Sequence, residues 1–158
     1  MPTIVVLLGA LFIGFAGLSG YVLVGMHERW SPAVEMMRRL TMVLNRVQSS
    51  AGQPRAYAGI LRHVGRTSGT LHETPLGIEP TEDGFVIAIV YGRRSSWVRN
   101  VLAAGSAEIT VEGQTYQVDR PEIVPLSEVS HYLKPTDQRM TSLFGVHECL
   151  RLYHAEHD

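Results

Sequence analysis

The sequence predicts an α+β protein: a small closed or half-closed antiparallel barrel of about six strands with short helices, preceded by a long apolar helix. Three observations predict it. A charge-free run of 23 residues opens the chain, from Ile4 to Met26. Apolar spacing changes from helical to strand-like after Arg55. The short strands that follow are punctuated by Gly-rich turns, with one helix set between the third and the fourth. Closure of such a sheet removes exposed edges, which suits a domain of about 100 residues.

Ile4–Met26 as a helix would be roughly 35 Å long, enough to cross a hydrocarbon core of about 30 Å. It is apolar on every side, unlike an interfacial helix. Its glycines weaken a helix in water but permit close contact in lipid. A cleaved signal peptide would carry a basic start, and Met1-Pro2-Thr3 has none. Cations flank the run only on its C-terminal side, at Arg29, Arg38, Arg39 and Arg46. A single-pass anchor in the cell membrane, with the rest of the chain cytoplasmic, is the expectation. Ser31-Pro32 then starts a connector helix. Its apolar stripe is Val34, Met37, Leu40, Met42, Val43, Leu44 and Val47, and the run Ser49–Pro54 ends it. That helix can pack on the following domain or lie on anionic lipid. The expected divisions are 1–30 for the anchoring helix, 31–54 for connector and linker, and 55–158 for the barrel domain.

Strands are expected at Ala56–Val64 and Leu71–Ile78, joined by Gly65-Arg66-Thr67-Ser68-Gly69-Thr70. The turn Thr81–Gly84 leads to Phe85–Tyr91, a continuous apolar run read as a strand buried on both faces. A helix follows from Trp97 to Ala104. Ala107–Glu112 alternates, Gly113-Gln114 is a tight-turn candidate, and a partner strand runs through Tyr116 and Val118. Ser127–Leu133 and Asp137–Phe144 read as short helices, and Glu148–Tyr153 as a last strand.

Composition narrows the chemistry. Fourteen Lys+Arg face 15 Asp+Glu, so bulk-charge binding of nucleic acid is not expected. The single Cys149 excludes an internal disulfide and any CxxC motif. No hydrolytic or zinc motif is present, and the scattered histidines do not suggest a metal site. Thirteen of the 14 cations are Arg, with Lys134 the exception, and Arg recognises anions bidentately. Two segments concentrate such recognition. Arg62-His63-Val64-Gly65-Arg66-Thr67-Ser68-Gly69 sits at a strand-to-strand turn, where glycines let amides point at an anion. Gly92-Arg93-Arg94-Ser95-Ser96-Trp97 sits where a buried strand meets a helix start, another anion-favouring place. Each also has a plain structural reading, as a Gly-rich hairpin turn and as a helix start before a core Trp. Together, without hydrolytic machinery, they point to a large anionic cofactor.

His63-Val64-Gly65-Arg66-Thr67-Ser68-Gly69, then Thr74-Pro75-Leu76, then Trp97-Val98-Arg99-Asn100-Val101-Leu102-Ala103-Ala104 resembles the deazaflavin-dependent nitroreductase family. The resemblance spans roughly Arg55 to Val124. It implies a split β-barrel, often dimeric, and an oxidoreductase that uses coenzyme F420, which carries a phosphate and a γ-glutamate tail. It implies that Arg62, Arg66, Thr67 and Ser68, in the turn with His63, Gly65 and Gly69, grip that tail. Tyr91, Gly92, Arg93, Arg94, Ser95, Ser96 and Trp97 would lie near the ring, with Asn100 supporting the loop. Hydride would pass to a small lipophilic acceptor such as a quinone or an activated double bond. Tyr91, His131 and Tyr132 are the candidate proton donors by residue type. An FMN- or haem-binding split barrel, or a membrane-anchored cofactor-binding module without turnover, are the alternatives.

Overall fold

The structure, a computed structural model, describes residues 51–156. The anchor expected at Ile4–Met26 and the connector helix lie outside them. Among the described residues no helix is long and apolar enough to cross a membrane.

Seven strands form one antiparallel sheet: β1 (Gly59–Val64), β2 (Leu71–Leu76), β3 (Ile78–Pro80), β4 (Gly84–Ala88), β5 (Ser106–Val111), β6 (Gln114–Pro125) and β7 (Glu148–His154). The expected Leu71–Ile78 strand is therefore two strands, broken at Gly77, and the count is seven rather than six. The sheet order is β2-β1-β5-β6-β7-β4-β3. Leu76 and Ile78 are thus only two positions apart in the chain but belong to opposite edges. A flat sheet would part those edges by about 29 Å, whereas two residues span at most about 7 Å. The sheet must curl until its edges meet, and Ile78 indeed reaches Gly59 of β1, 3.0 Å from an ideal Cβ there. β2 and β3 are not ladder partners, so the seam stays open and the barrel is split.

Alternation sorts the strands into faces. Leu61, Ile78, Phe85, Ile87, Ile109, Val118, Leu150 and Leu152 fill the barrel interior. Helix α1 (Ser96–Ala104) plugs it with Trp97, Val98 and Val101, and Gly105 ends the helix at φ 72 with its N–H on the Val101 carbonyl. The other face of β4 carries Val86, packed with Val124, Val129, Leu133 and Cys149. That second cluster is roofed by α2 (Leu126–Val129) and a 3-10 turn (Ser130–Tyr132), so β4 is buried on both sides, as its apolar run predicts. The regular part of β4 stops at Ala88, although Ile89 still donates its N–H to the Glu148 carbonyl. Burial pushes the Cys149 thiol up to about 11, which makes it a core residue.

The β5–β6 hairpin turns at Glu112-Gly113, both at positive φ, one residue ahead of the expected pair; such values suit a two-residue hairpin loop. β6 continues past the expected strand to Pro125, across a register shift between Asp119 and Glu122. Helix α3 (Pro135–Leu143) is tied to the chain ahead of β1. The Tyr57 hydroxyl donates to Asp137 Oδ1 at 2.5 Å, and Lys134 Nζ lies 3.4 Å from buried Glu79 on β3.

Candidate functional site

β1 and β2 meet in the turn Gly65–Thr70. Gly65 donates to the Thr70 carbonyl at 2.8 Å, and Gly69, at φ 66, donates to the Gly65 carbonyl at 2.8 Å. The Ser68 hydroxyl folds back, accepting the Thr70 N–H at 3.2 Å. A Cβ on Gly65 would stand 2.4 Å from Ser68 Oγ and 2.9 Å from His72 Nε2, so a larger residue there would push both side chains from their present places.

This turn is stitched to α1. Asn100, 5 % exposed, accepts at Oδ1 from the Arg66 backbone N–H at 3.3 Å and from Arg66 Nη1 at 3.0 Å. Its Nδ2 lies 3.2 Å from His63 Nδ1, and His63 Nε2 lies 3.0 Å from Thr74 Oγ1. The chain of contacts is therefore Thr74, His63, Asn100, Arg66. His63 is 4 % exposed and stacks on His72 at 5.6 Å. Burial first, and the His72 charge second, press its pKa down to about 4, so it is neutral at pH 7.

The four arginines predicted for the site divide into two kinds. Arg62 points to the opposite face of β1 from His63. Its Nε donates to Glu73 Oε1 at 2.7 Å and its Nη1 to Glu108 across the neighbouring strand. Arg93 grips Glu148 with two bonds, of 2.9 and 2.6 Å. Both guanidinium charges are neutralised within the fold. Arg66 and Arg94 have no carboxylate partner among the described residues, and neither has Arg99, which the sequence reading omitted. Its place beside Asn100 in the Trp97–Asn100 motif was the signal available.

The second segment forms the approach to α1. Gly92, at φ 77, accepts at its carbonyl from the Ser95 backbone N–H and from Ser95 Oγ at 2.8 Å. Ser95 stands at the helix N-cap, yet its hydroxyl is turned back to Gly92 and caps nothing. The first turn of α1 has no acidic residue, so its amide dipoles are open to an anion. Trp97 belongs to the barrel interior, with 9 % exposure. Thr67 is exposed at the turn, while Ser96 is exposed at the helix start.

Of the candidate proton donors, His131 and Tyr132 lie together. Tyr91 is half-buried just before Gly92. His131 is exposed and its ring packs 4.0 Å from that of Tyr132, which lies against the second cluster over β4. Among the described residues no group of three or more His, Cys, Asp or Glu side chains gathers as a metal site.

The donor set fits an anionic cofactor. An arginine held by a buried amide, without a carboxylate to neutralise it among the described residues, lies on the turn that the same amide joins to an uncapped helix.

Residues 35–141 match the model of a family described as F420H(2)-dependent quinone reductase. No curated protein matches the chain. Three similar solved structures are distant. One described as a domain-swapped dimer has TM-score 0.49 and 13 % identity, over 76 % of this chain and 98 % of its own. An F420-H2 dependent reductase (FDR-A) has TM-score 0.46 and 13 % identity, over 60 % and 92 %. The haem storage protein HutZ from Vibrio cholerae has TM-score 0.47 and 11 % identity, over 65 % and 84 %.

Proposed function

From the premise that this chain belongs to the F420H(2)-dependent quinone reductase family, and is an oxidoreductase that uses coenzyme F420, we propose that it reduces a lipophilic quinone-type acceptor at a membrane surface. The Gly65–Thr70 turn and the start of α1 hold the anionic end of the cofactor. The observation that carries this reading is Arg66, whose guanidinium is held by Asn100 and by no carboxylate among the described residues.

When bound, reduced F420 supplies a hydride. The chain's own part is binding, orientation and exclusion of water. Arg66, with the hydroxyls and backbone amides of Thr67 and Ser68, holds phosphate or tail carboxylates. Arg94 and Arg99, which have no carboxylate partner among the described residues, add positive charge on either side of the α1 start. Arg62 and Arg93 act as fold residues, each engaged by carboxylates. Tyr91 is the candidate donor that leads directly into the Gly92 loop, and it would give a proton to the reduced acceptor.

The membrane part of the reading is supported by Ile4–Met26 and the cations that follow it. It puts the barrel on the cytoplasmic side, next to a lipid-dissolved acceptor. The family match begins at residue 35, which supports counting most of the connector with the reductase unit.

The test compares the full chain with a form lacking residues 1–30. Oxidised F420 binding is followed by fluorescence, and F420H2 oxidation is followed with a long-chain quinone in liposomes and with a soluble quinone. Equal cofactor affinity, loss of the liposome rate and retention of the soluble rate are expected. Equal loss of both rates would make the removed segment part of the fold. Release of the full chain from membranes by carbonate washing would overturn the anchor.

A further inference from the structure

We propose that His63 is a positioning residue for the cofactor's anionic end, acting through Asn100 to aim the Arg66 guanidinium; the proposal rests on the site reading above and names how that site is held.

The geometry fixes the direction of every bond in the chain. Asn100 Oδ1 faces two donors of Arg66, its backbone N–H at 3.3 Å and Nη1 at 3.0 Å. A reversed amide would set N–H against N–H there. The NH2 group of Asn100 must therefore face His63, and Nδ1 of His63, 3.2 Å away, must accept. The ring proton is then on Nε2, which donates to Thr74 Oγ1 at 3.0 Å. His63 is held as one neutral tautomer, and that tautomer holds Asn100 in one of its two flips. Only in that flip does Asn100 present an acceptor to Arg66.

A second proton on His63 would oppose Asn100 Nδ2 with a donor. It would also stand beside His72, which faces His63 from β2, and would share Asn100 with the Arg66 cation from the turn. The carboxylates Glu73 and Glu108 offer no relief, because they engage Arg62 on the other face of β1. A buried, single-tautomer histidine is thus the element that decides where an arginine without a carboxylate partner among the described residues points.

The experiment uses the full chain in detergent and reads the dissociation constant for oxidised F420 by fluorescence, with thermal unfolding alongside. The variants are Arg66→Ala, His63→Phe, His63→Asn and the double variant Arg66→Ala/His63→Phe. His63→Phe removes the acceptor and should weaken binding roughly tenfold, the scale of one buried hydrogen bond. It should add less than twofold in the Arg66→Ala background. His63→Asn restores an acceptor near the Nδ1 position and should recover most of the affinity. If Arg66→Ala weakens binding but His63→Phe stays within twofold of wild type, the positioning role is overturned and the site stands. Losses that multiply in the double variant also overturn it, because they mean independent action. Unchanged affinity in Arg66→Ala overturns the site and this role with it. Should His63→Phe fail to fold, Thr74→Val asks the same question by freeing the ring. A several-fold loss confined to the Arg66 background supports the role, and no loss overturns it.

Discussion

Arg62 and Glu73 face each other across β1 and β2, with Nε 2.7 Å from Oε1, and the same guanidinium also donates to Glu108 on β5. One arginine therefore bridges three strands, on the outer face of the sheet. Arg66, four residues later, has only an amide for a partner among the described residues. The two should respond oppositely to removal. Arg66→Ala is expected to weaken F420 binding about ten- to hundredfold, as loss of a charge-assisted contact does. Arg62→Ala is expected to leave the affinity within twofold and to lower the melting temperature. Fluorescence titration and thermal denaturation of both variants decide.

Affinity for F420 should fall as salt rises, because uncompensated guanidinium groups meet an anion near the surface. FMN, with one phosphate and no glutamate tail, should bind more weakly. Titrations of both cofactors at two ionic strengths check this. FMN binding as tight as F420 binding would contradict it.

Stability should depend on pH through His63. Its folded pKa is about 4, below the 6.5 of an unfolded histidine. The unfolded chain therefore takes up a proton that the folded chain refuses between those values. The contribution is fully present above about pH 6.5 and is lost as pH falls toward 4. Urea unfolding of wild type and His63→Phe from pH 4 to 7 should show a shallower pH slope in the variant. Parallel slopes would contradict the assignment.

Gly84 of β4 lies directly against the backbone of β7. A Cβ there would stand 2.0 Å from the Leu152 carbonyl oxygen and 2.7 Å from Tyr153 Cα. Both obstacles are backbone, so neither can move aside. Gly84→Ala should destabilise the fold by at least about 2 kcal/mol. Chemical denaturation measures it, and a loss under 1 kcal/mol would show that the two strands can separate at little cost.

The sequence by itself determined the strands whose apolar residues recur at the strand period. β1, β5 and β7 were legible in this way, β4 was legible by its continuous apolar run, and α1 was legible between the third and fourth expected strands. It also marked the turn Gly65–Gly69 and the start of α1, since both need glycine or a helix end. The break at Gly77 was not legible. No local rule separates Leu76 from Ile78; they part only because a curled sheet has two edges to join. The fate of the arginines was likewise a tertiary matter. Arg62 and Arg66 look alike in sequence, and so do Arg93 and Arg94. Which of them is neutralised depends on carboxylates far along the chain: Glu108 is 46 residues from Arg62, and Glu148 is 55 from Arg93. Charge pairing acts through space and leaves no period in the sequence. Only the folded sheet, which brings β5 beside β1 and β7 near the Gly92 loop, separates an arginine that holds the barrel together from one with no carboxylate partner among the described residues.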